Sequence, residues 1–218
     1  MSTLSKRLLT LPPFSAEKYV KRTIAVSFWK DSNDLIWRSL IYRKYLEYDS
    51  LSTKAKTYVD LLMAIECALK SMIISLSIET ESPEYAYLTA RRCSHNLDKL
   101  CEEVRNRAKN RIRFIPRKDQ EIITKANTLG VGHRYHVATL MLITQEDWGD
   151  RGLLTGEISS VINHEFINSL FAVASSINKL SSQTQDKYLG HYARINTVRW
   201  KEIDDRRSLF LKTLGKRF

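Results

Sequence analysis

Residues 56–76 of this chain, KTYVDLLMAIECALKSMIISL, form its clearest regular apolar pattern. Apolar side chains recur every three or four residues, which is the period of one face of an α-helix. They are Tyr58, Leu61, Leu62, Ile65, Leu69, Met72, Ile73 and Leu76. A second stripe consists of small residues, which let a neighbouring helix approach closely. Its members are Thr57, Ala64, Cys67, Ala68 and Ser71. The two stripes together predict a central, largely buried helix.

A second helix is predicted after residue 94. Pro83 ends the first pattern because a proline disfavours helical conformation in the residue before it, and it suits the first turn of a new helix. Apolar residues then recur at helical spacing, at Leu97, Leu100, Cys101, Val104 and Ala108. The side chain of Ser94 or Asn96 can cap this helix, and Asp98 suits the positive end of its dipole.

Three short motifs fall within residues 55–142. They are Glu66-Cys-Ala-Leu-Lys70-Ser-Met-Ile, Ser94-His-Asn-Leu-Asp-Lys-Leu100 and His133-Arg-Tyr-His136. The first resembles the Glu-x-x-x-Lys-x-hydrophobic pattern of the second helix in HEPN (higher eukaryotes and prokaryotes nucleotide-binding) domains. The second is similar to the His-Asp-Leu helix start of these domains, with Asn96 where Asp is usual. The third resembles their later Arg-Tyr-Pro segment, with His136 in place of Pro.

The resemblance implies a small antiparallel helical bundle, often dimeric, in bacterial or archaeal cytoplasmic systems that handle nucleotides or RNA. The scarcity of glycine and proline, seven and four residues, also favours helices over a loop-rich β architecture. We therefore expect an all-α antiparallel bundle of about six to eight helices, HEPN-like in its middle, with additional N- and C-terminal helices. Three regions are predicted: a flexible leader (1–14), the bundle (15–180) and a basic C-terminal helical extension (181–218).

Helical periods and turn-forming residues predict the remaining elements. They are a helix from Ala16 capped by Ser15, a turn at 30–34, a helix at 34–48, a short helix at 122–129, a hinge at 130–132, a loop at 147–152, a long helix from Thr155 or Gly156 to Leu180, a polar linker at 181–186 and a closing helix at 198–214. The apolar run at 133–144 fits either a helix or a buried strand, and the resemblance to HEPN domains implies a helix there.

The net charge of +11 and the pI near 9.6 favour contact with nucleic acid or an anionic membrane surface, although charge can also simply keep a protein dispersed. No apolar run reaches the ~20 residues of a membrane span, so none is predicted. Three cysteines, Cys67, Cys93 and Cys101, show no paired spacing. They predict reduced, buried thiols in a cytoplasmic protein.

The most basic segment of the chain follows the second helix. Its cations alternate, at Arg105, Arg107, Lys109, Arg111 and Arg113. A helix would distribute them around its surface, whereas a strand would place them on one face. In either form we expect many of them in water, because burying an unpaired charge is costly. Some of them can pair with Glu102 and Glu103 before the segment or with Asp119 and Glu121 after it. We predict that this patch contacts phosphate groups; a solvated helix end is the alternative.

A second basic segment interleaves cations with aromatic side chains between residues 37 and 45. Arg38, Arg43 and Lys44 alternate there with Trp37 and Tyr42. Such interleaving can stack and hold nucleic-acid bases. The alternative is a core helix whose basic side chains extend their charged ends into water.

HEPN nucleases cleave RNA without metal by means of an Arg and a His that are separated by four to six intervening residues, where Arg holds the phosphate and His moves a proton. None of the five histidines of this chain follows an Arg at that spacing; after Arg105, Asn110 stands in the His position. Other pairs remain candidates if they converge in space. They are His95 with Arg91 or Arg92, and His136 with Arg134.

The resemblance and the basic segments favour a non-catalytic protein that binds a nucleotide or RNA. The resemblance also implies a homodimer or a hetero-complex in a prokaryotic defence or toxin–antitoxin system. A metal-independent HEPN-type ribonuclease and a protein-interaction scaffold are the alternatives. No cofactor is predicted. No metal site is predicted either, because the spacing of the histidines and cysteines matches no recognised zinc motif.

Overall fold

The computed structural model describes residues 15–45, 51–109, 115–128, 163–190 and 197–215. Within these ranges it contains seven α-helices and no strand. The helices are α1 (Ala16–Tyr45), α2 (Leu51–Ser75), α3 (Pro83–Arg92), α4 (Leu97–Ala108), α5 (Arg117–Thr128), α6 (His164–Leu189) and α7 (Thr197–Gly215). The predicted all-α helical bundle is confirmed.

Helix α2 lies at the centre of the bundle and packs against α1, α3, α4 and α6. Between residues 64 and 76 every side chain except that of Cys67 is buried. Leu61, Ile65 and Leu69 are completely inaccessible to solvent, and burial of one such side chain contributes about 1.5–3 kcal/mol. The prediction of a central, largely buried helix at residues 56–76 is therefore confirmed.

Polar contacts along α1 show how its neighbours run. Arg38 pairs with Asp60 of α2, whereas Lys21 donates to the carbonyl of Ile78, just beyond α2, at 2.9 Å. Residue numbers on α2 therefore rise as those on α1 fall. The hydrogen bonds from α1 to α6 follow the same order. Helix α1 is thus antiparallel to both α2 and α6, and these two run parallel to each other.

Helix α1 is continuous, so the predicted turn at residues 30–34 is wrong. Ser32 is completely buried there, and Asn178 of α6 donates to the side-chain oxygen of Asn33 at 3.4 Å. Serine, asparagine and aspartate cost a helix at most about 0.7 kcal/mol each relative to alanine. Packing against α6 outweighs that small local preference, and no Gly or Pro interrupts the segment.

Helix α6 likewise continues through residues 181–186, so the predicted polar linker there is wrong. Thr184 and Gln185 are buried, and Gln185 donates to the hydroxyl of Ser71 on the small-residue stripe of α2 at 2.8 Å. At its other end α6 is capped by Asn163, whose side chain accepts from the backbone of Phe166 at 2.7 Å. The predicted start at residue 155 or 156 is therefore wrong as well.

The predicted helix starts near residues 83 and 94 are confirmed. Ser82 caps α3, and Pro83 is its first residue. Asn96 caps α4 by accepting from the backbone of Lys99 at 3.0 Å. Ser94, the other candidate cap, instead adopts a left-handed conformation (φ 53°) in the turn between the two helices.

The remaining helices complete the bundle. Helix α5 includes most of the predicted short helix at 122–129 and packs against α4 and α6, while α7 matches the predicted closing helix at 198–214 and packs against α1 and α3. Among the described helices, none combines the length and apolarity that a membrane crossing requires. The predictions for the leader (1–14), for the hinge and helix at 130–144 and for the loop at 147–152 lie outside the described residues.

Candidate functional site

In its described part, residues 105–109, the predicted phosphate-binding patch does not form one surface of solvated cations. The side chain of Arg107 is 12% exposed and donates to both carboxylate oxygens of Glu81, at 2.7 and 2.9 Å, and to Glu103 at 2.6 Å. Since its charge is satisfied by two carboxylates, Arg107 connects α4 to the turn between α2 and α3. Pairing with Glu103, which the sequence allows, is present.

The other members of this patch differ in position. Arg105 is exposed in the last turn of α4, and Lys109 is exposed at the C-cap of that helix with a φ of 41°. Arg111 and Arg113 lie outside the described residues. The choice between a helical and an extended patch is therefore resolved only as far as Lys109, where the helix has ended.

The structure joins the two HEPN-like motifs of α2 and α4 at one carboxylate. Glu66 is buried and accepts a hydrogen bond from Lys70 at 2.7 Å, while Nδ1 of His95 lies 2.9 and 3.0 Å from its two oxygens. Burial alone would raise the pKa of Glu66. The hydrogen bonds from Lys70 and His95 outweigh burial, so the pKa falls below its usual 4.5.

This contact orients His95, because a carboxylate at one nitrogen of an imidazole fixes the ring and its tautomer. The His95 side chain is 46% exposed. Among its candidate arginine partners, Arg91 and Arg92 are exposed at the end of α3, where the Arg91 guanidinium lies 5.9 Å from the ring centre of Tyr87. The pair Arg134 and His136 lies outside the described residues.

A groove of about 570 Å³ lies between the C-terminal half of α1 and the start of α6. Its described lining is Trp37, Leu40, Ile41, Arg43 and Lys44 from α1, with His164 and Asn168 from α6. Trp37 is 60% exposed and Ile41 is 50% exposed. The groove therefore combines an open aromatic surface with basic side chains on both of its walls.

The arginines of this interleaved segment have different surroundings. Arg38 forms a two-pronged ion pair with the buried carboxylate of Asp60, and that hydrogen bond raises its pKa. Arg43 instead lines the groove: it donates to the side chain of Asn168 at 2.5 Å, and its guanidinium lies 4.9 Å from the ring centre of Phe171. The two contacts hold the Arg43 guanidinium at the mouth of the groove.

Only one of the two walls of this groove is predictable from the sequence. Trp37, Ile41 and Lys44 follow the i, i+4, i+7 spacing of one helical stripe, so their common face is predictable. The opposite wall, formed by His164 and Asn168, lies more than a hundred residues away in the chain. No local pattern connects the two walls, and neither His164 nor Asn168 belongs to a site predicted from the sequence.

The cysteines do not form part of either site. Cys101 is buried, which raises its pKa to about 12, so the prediction of a buried thiol is confirmed for it. Cys67 and Cys93 are half-buried instead. Within the described ranges, no three His, Cys, Asp or Glu side chains group in a way that could hold a metal ion.

Comparison of the chain with protein-family models, with curated proteins and with solved structures gave no match. The resemblance to HEPN domains therefore rests on the three motifs alone.

Proposed function

We propose that this protein binds a nucleotide or RNA, without cleaving it, in the groove between α1 and α6. The observation that carries this proposal is the exposed ring of Trp37 beside the basic side chains of Arg43, Lys44 and His164. Stacking of a base on an aromatic side chain contributes about 1–3 kcal/mol, and cations beside it bind the phosphate groups.

Three properties of the protein support this ligand class. The groove, at about 570 Å³, falls within the roughly 300–1,000 Å³ of small-ligand sites. Arg43 is already positioned by Asn168 and Phe171, so less side-chain entropy is lost when a phosphate binds. The net charge of +11 in addition attracts polyanions from a distance.

The resemblance to HEPN domains supports the same class of ligand. It extends the proposal to a homodimer or hetero-complex in the cytoplasm of a prokaryote, acting in defence or as part of a toxin–antitoxin pair. The Arg105–Lys109 end of α4 would then add long-range attraction rather than a specific contact, because Arg107 is engaged by Glu81 and Glu103.

The proposal is tested by fluorescence anisotropy with a labelled single-stranded RNA at increasing salt. We expect the double substitution Arg43→Gln/Lys44→Gln to weaken binding about tenfold and to reduce the slope of log K against log salt by about 0.7 for each phosphate that is no longer neutralised. The matched control is Arg105→Gln/Lys109→Gln, which removes the same charge from an exposed helix end. Equal weakening by both variants, or no binding by the wild type, would refute the groove as the binding site.

A second candidate function, metal-independent RNA cleavage, is favoured by the contact between Glu66 and His95. A carboxylate-oriented imidazole that is half-exposed is suited to proton transfer. Incubation of labelled RNA with the protein in EDTA, followed by a denaturing gel, tests it. Cleavage that disappears in His95→Ala would replace the non-catalytic proposal by a ribonuclease. If the protein shows neither RNA binding nor RNA cleavage, the result would favour the protein-interaction scaffold.

A further inference from the structure

We infer that the groove between α1 and α6 selects one unstacked nucleotide, with its base on the ring of Trp37 and its phosphate near Arg43 and His164. This inference rests on the proposed function and specifies its ligand: a free nucleotide or a nucleotide within a single strand, not a duplex.

The exposure of Trp37 supports an unstacked base. Trp37 is 60% exposed, and Ile41, one turn further along α1, extends the apolar surface at 50% exposure. A base in a duplex is already covered on both faces by its neighbours and presents only its edges in the grooves. An aromatic platform therefore engages bases that are free of such neighbours, as in single strands and free nucleotides.

The spacing along α1 supports a ligand of one nucleotide. Six residues separate Trp37 from Arg43, which corresponds to about 9 Å along the helix axis. A ligand that stacks on Trp37 must therefore carry its negative charge some distance from the stacked ring, as a nucleotide does. The volume of about 570 Å³ is large enough for such a unit.

The two walls of the groove support the position of the phosphate. Arg43 on α1 is fixed by Asn168 of α6, and His164 is the first residue of α6 in the same groove. A phosphate held there has donors on both sides, whereas Trp37 lies toward the opposite end of the α1 wall. Inorganic phosphate can use the donors but gains nothing from the ring, so the ring confers the selectivity for a base.

Competition measurements by fluorescence anisotropy test this inference. The probe is a labelled single-stranded oligo(A); the competitors are the unlabelled strand, AMP, inorganic phosphate and the oligo(A)–oligo(U) duplex. We expect Trp37→Ala to weaken binding of the single strand by at least about fivefold and Trp37→Phe to retain most of it, since a ring remains. Trp200→Ala is the matched control, because Trp200 is a similarly exposed indole (42%) on α7. Circular dichroism verifies that each variant is folded.

The competitors distinguish the two sources of the nucleotide. Displacement of the probe by AMP identifies a free nucleotide as sufficient, whereas displacement by unlabelled single strand alone identifies a strand; both results support the inference. Binding that depends on Arg43 and Lys44 but not on Trp37 would overturn the inference and leave the proposed function intact. The inference would also be overturned if the duplex displaced the probe as effectively as the unlabelled single strand does. Absence of binding to the labelled single strand would refute the proposed function itself.

Discussion

Glu66 and Lys70 form a buried ion pair whose removal should be costly and whose joint replacement should not. Both residues are buried on α2, and their charged atoms lie 2.7 Å apart. Loss of one partner from a buried pair costs about 3–5 kcal/mol, because the other charge remains without compensation. We expect about 3 kcal/mol for Glu66→Leu, at the lower end, since Lys70 is close enough to the surface to regain some water.

The double variant Glu66→Leu/Lys70→Met removes both charges and fills the space with apolar groups. Such replacements are often neutral, so we expect its free energy of unfolding to lie within about 1 kcal/mol of the wild type. His95, which also contacts Glu66, is half-exposed and can turn toward solvent. Urea denaturation followed by circular dichroism measures the free energy of unfolding of the wild type, the two single variants Glu66→Leu and Lys70→Met, and the double variant. If the costs of the single substitutions simply add in the double variant, the argument for a coupled buried pair is refuted.

The same pair predicts a pH dependence. The pKa of Glu66 is lowered in the folded protein, because the hydrogen bonds from Lys70 and His95 outweigh the effect of burial. A carboxyl whose pKa is lowered by folding contributes its full stabilisation at any pH above its pKa in the unfolded chain, near 4.5. It loses that contribution as the pH falls through its pKa in the folded protein. The stability difference between wild type and Glu66→Gln should therefore shrink below pH 4.5. A difference that stays constant from about pH 7 to about pH 3 would contradict this reasoning.

Two further variants test other parts of the fold by urea denaturation. Arg206 of α7 binds the carboxylates of Glu17 and Glu84, so Arg206→Ala should lower the free energy of unfolding by about 3 kcal/mol at pH 7. The cost should decrease as the pH falls from 4.5 toward 2, because the Arg206 hydrogen bond lowers the pKa of Glu84 to about 2. The control is Arg207→Ala, which removes a neighbouring, more exposed arginine and should cost less than about 1 kcal/mol; equal costs would contradict the role given to Arg206. Lys109→Gly should increase the free energy of unfolding by about 1 kcal/mol, since a φ of 41° strains any residue with a Cβ; a similar gain in Lys109→Ala would show that charge, not conformation, is responsible.

The helices predicted best are those in which the local and tertiary preferences agree. The stripe on α2 and the cap at Asn96 are specified by residues close in sequence, and both are present in the structure. The turn at residues 30–34 and the linker at 181–186 were wrong for one shared reason. Their polar side chains resemble those of exposed turns, but Ser32 and Gln185 are buried between long helices. The contact between Asn33 and Asn178 joins residues 145 apart in the chain. It cannot be predicted from the local sequence around either residue.

The candidate sites show the same division. The motifs identified Glu66, Lys70 and His95 by type and spacing, but not that one buried carboxylate contacts both of the other side chains. The stripe through Trp37 is visible in the sequence, yet a groove requires a second wall. That wall is the start of α6, and its position depends on the packing of α6 against α1 along much of their length.

The charge of +11 explains an attraction to polyanions but does not locate a binding site, because a cation's role depends on what it touches. Arg107 and Arg43 both lie in basic segments, and both are held by specific contacts. The contacts of Arg107 are the carboxylates of Glu81 and Glu103, so its charge serves to hold α4 on the bundle. Arg43 is held by an amide and a ring at the mouth of a groove. Substitution of Arg107 should therefore act on folding, and substitution of Arg43 on binding.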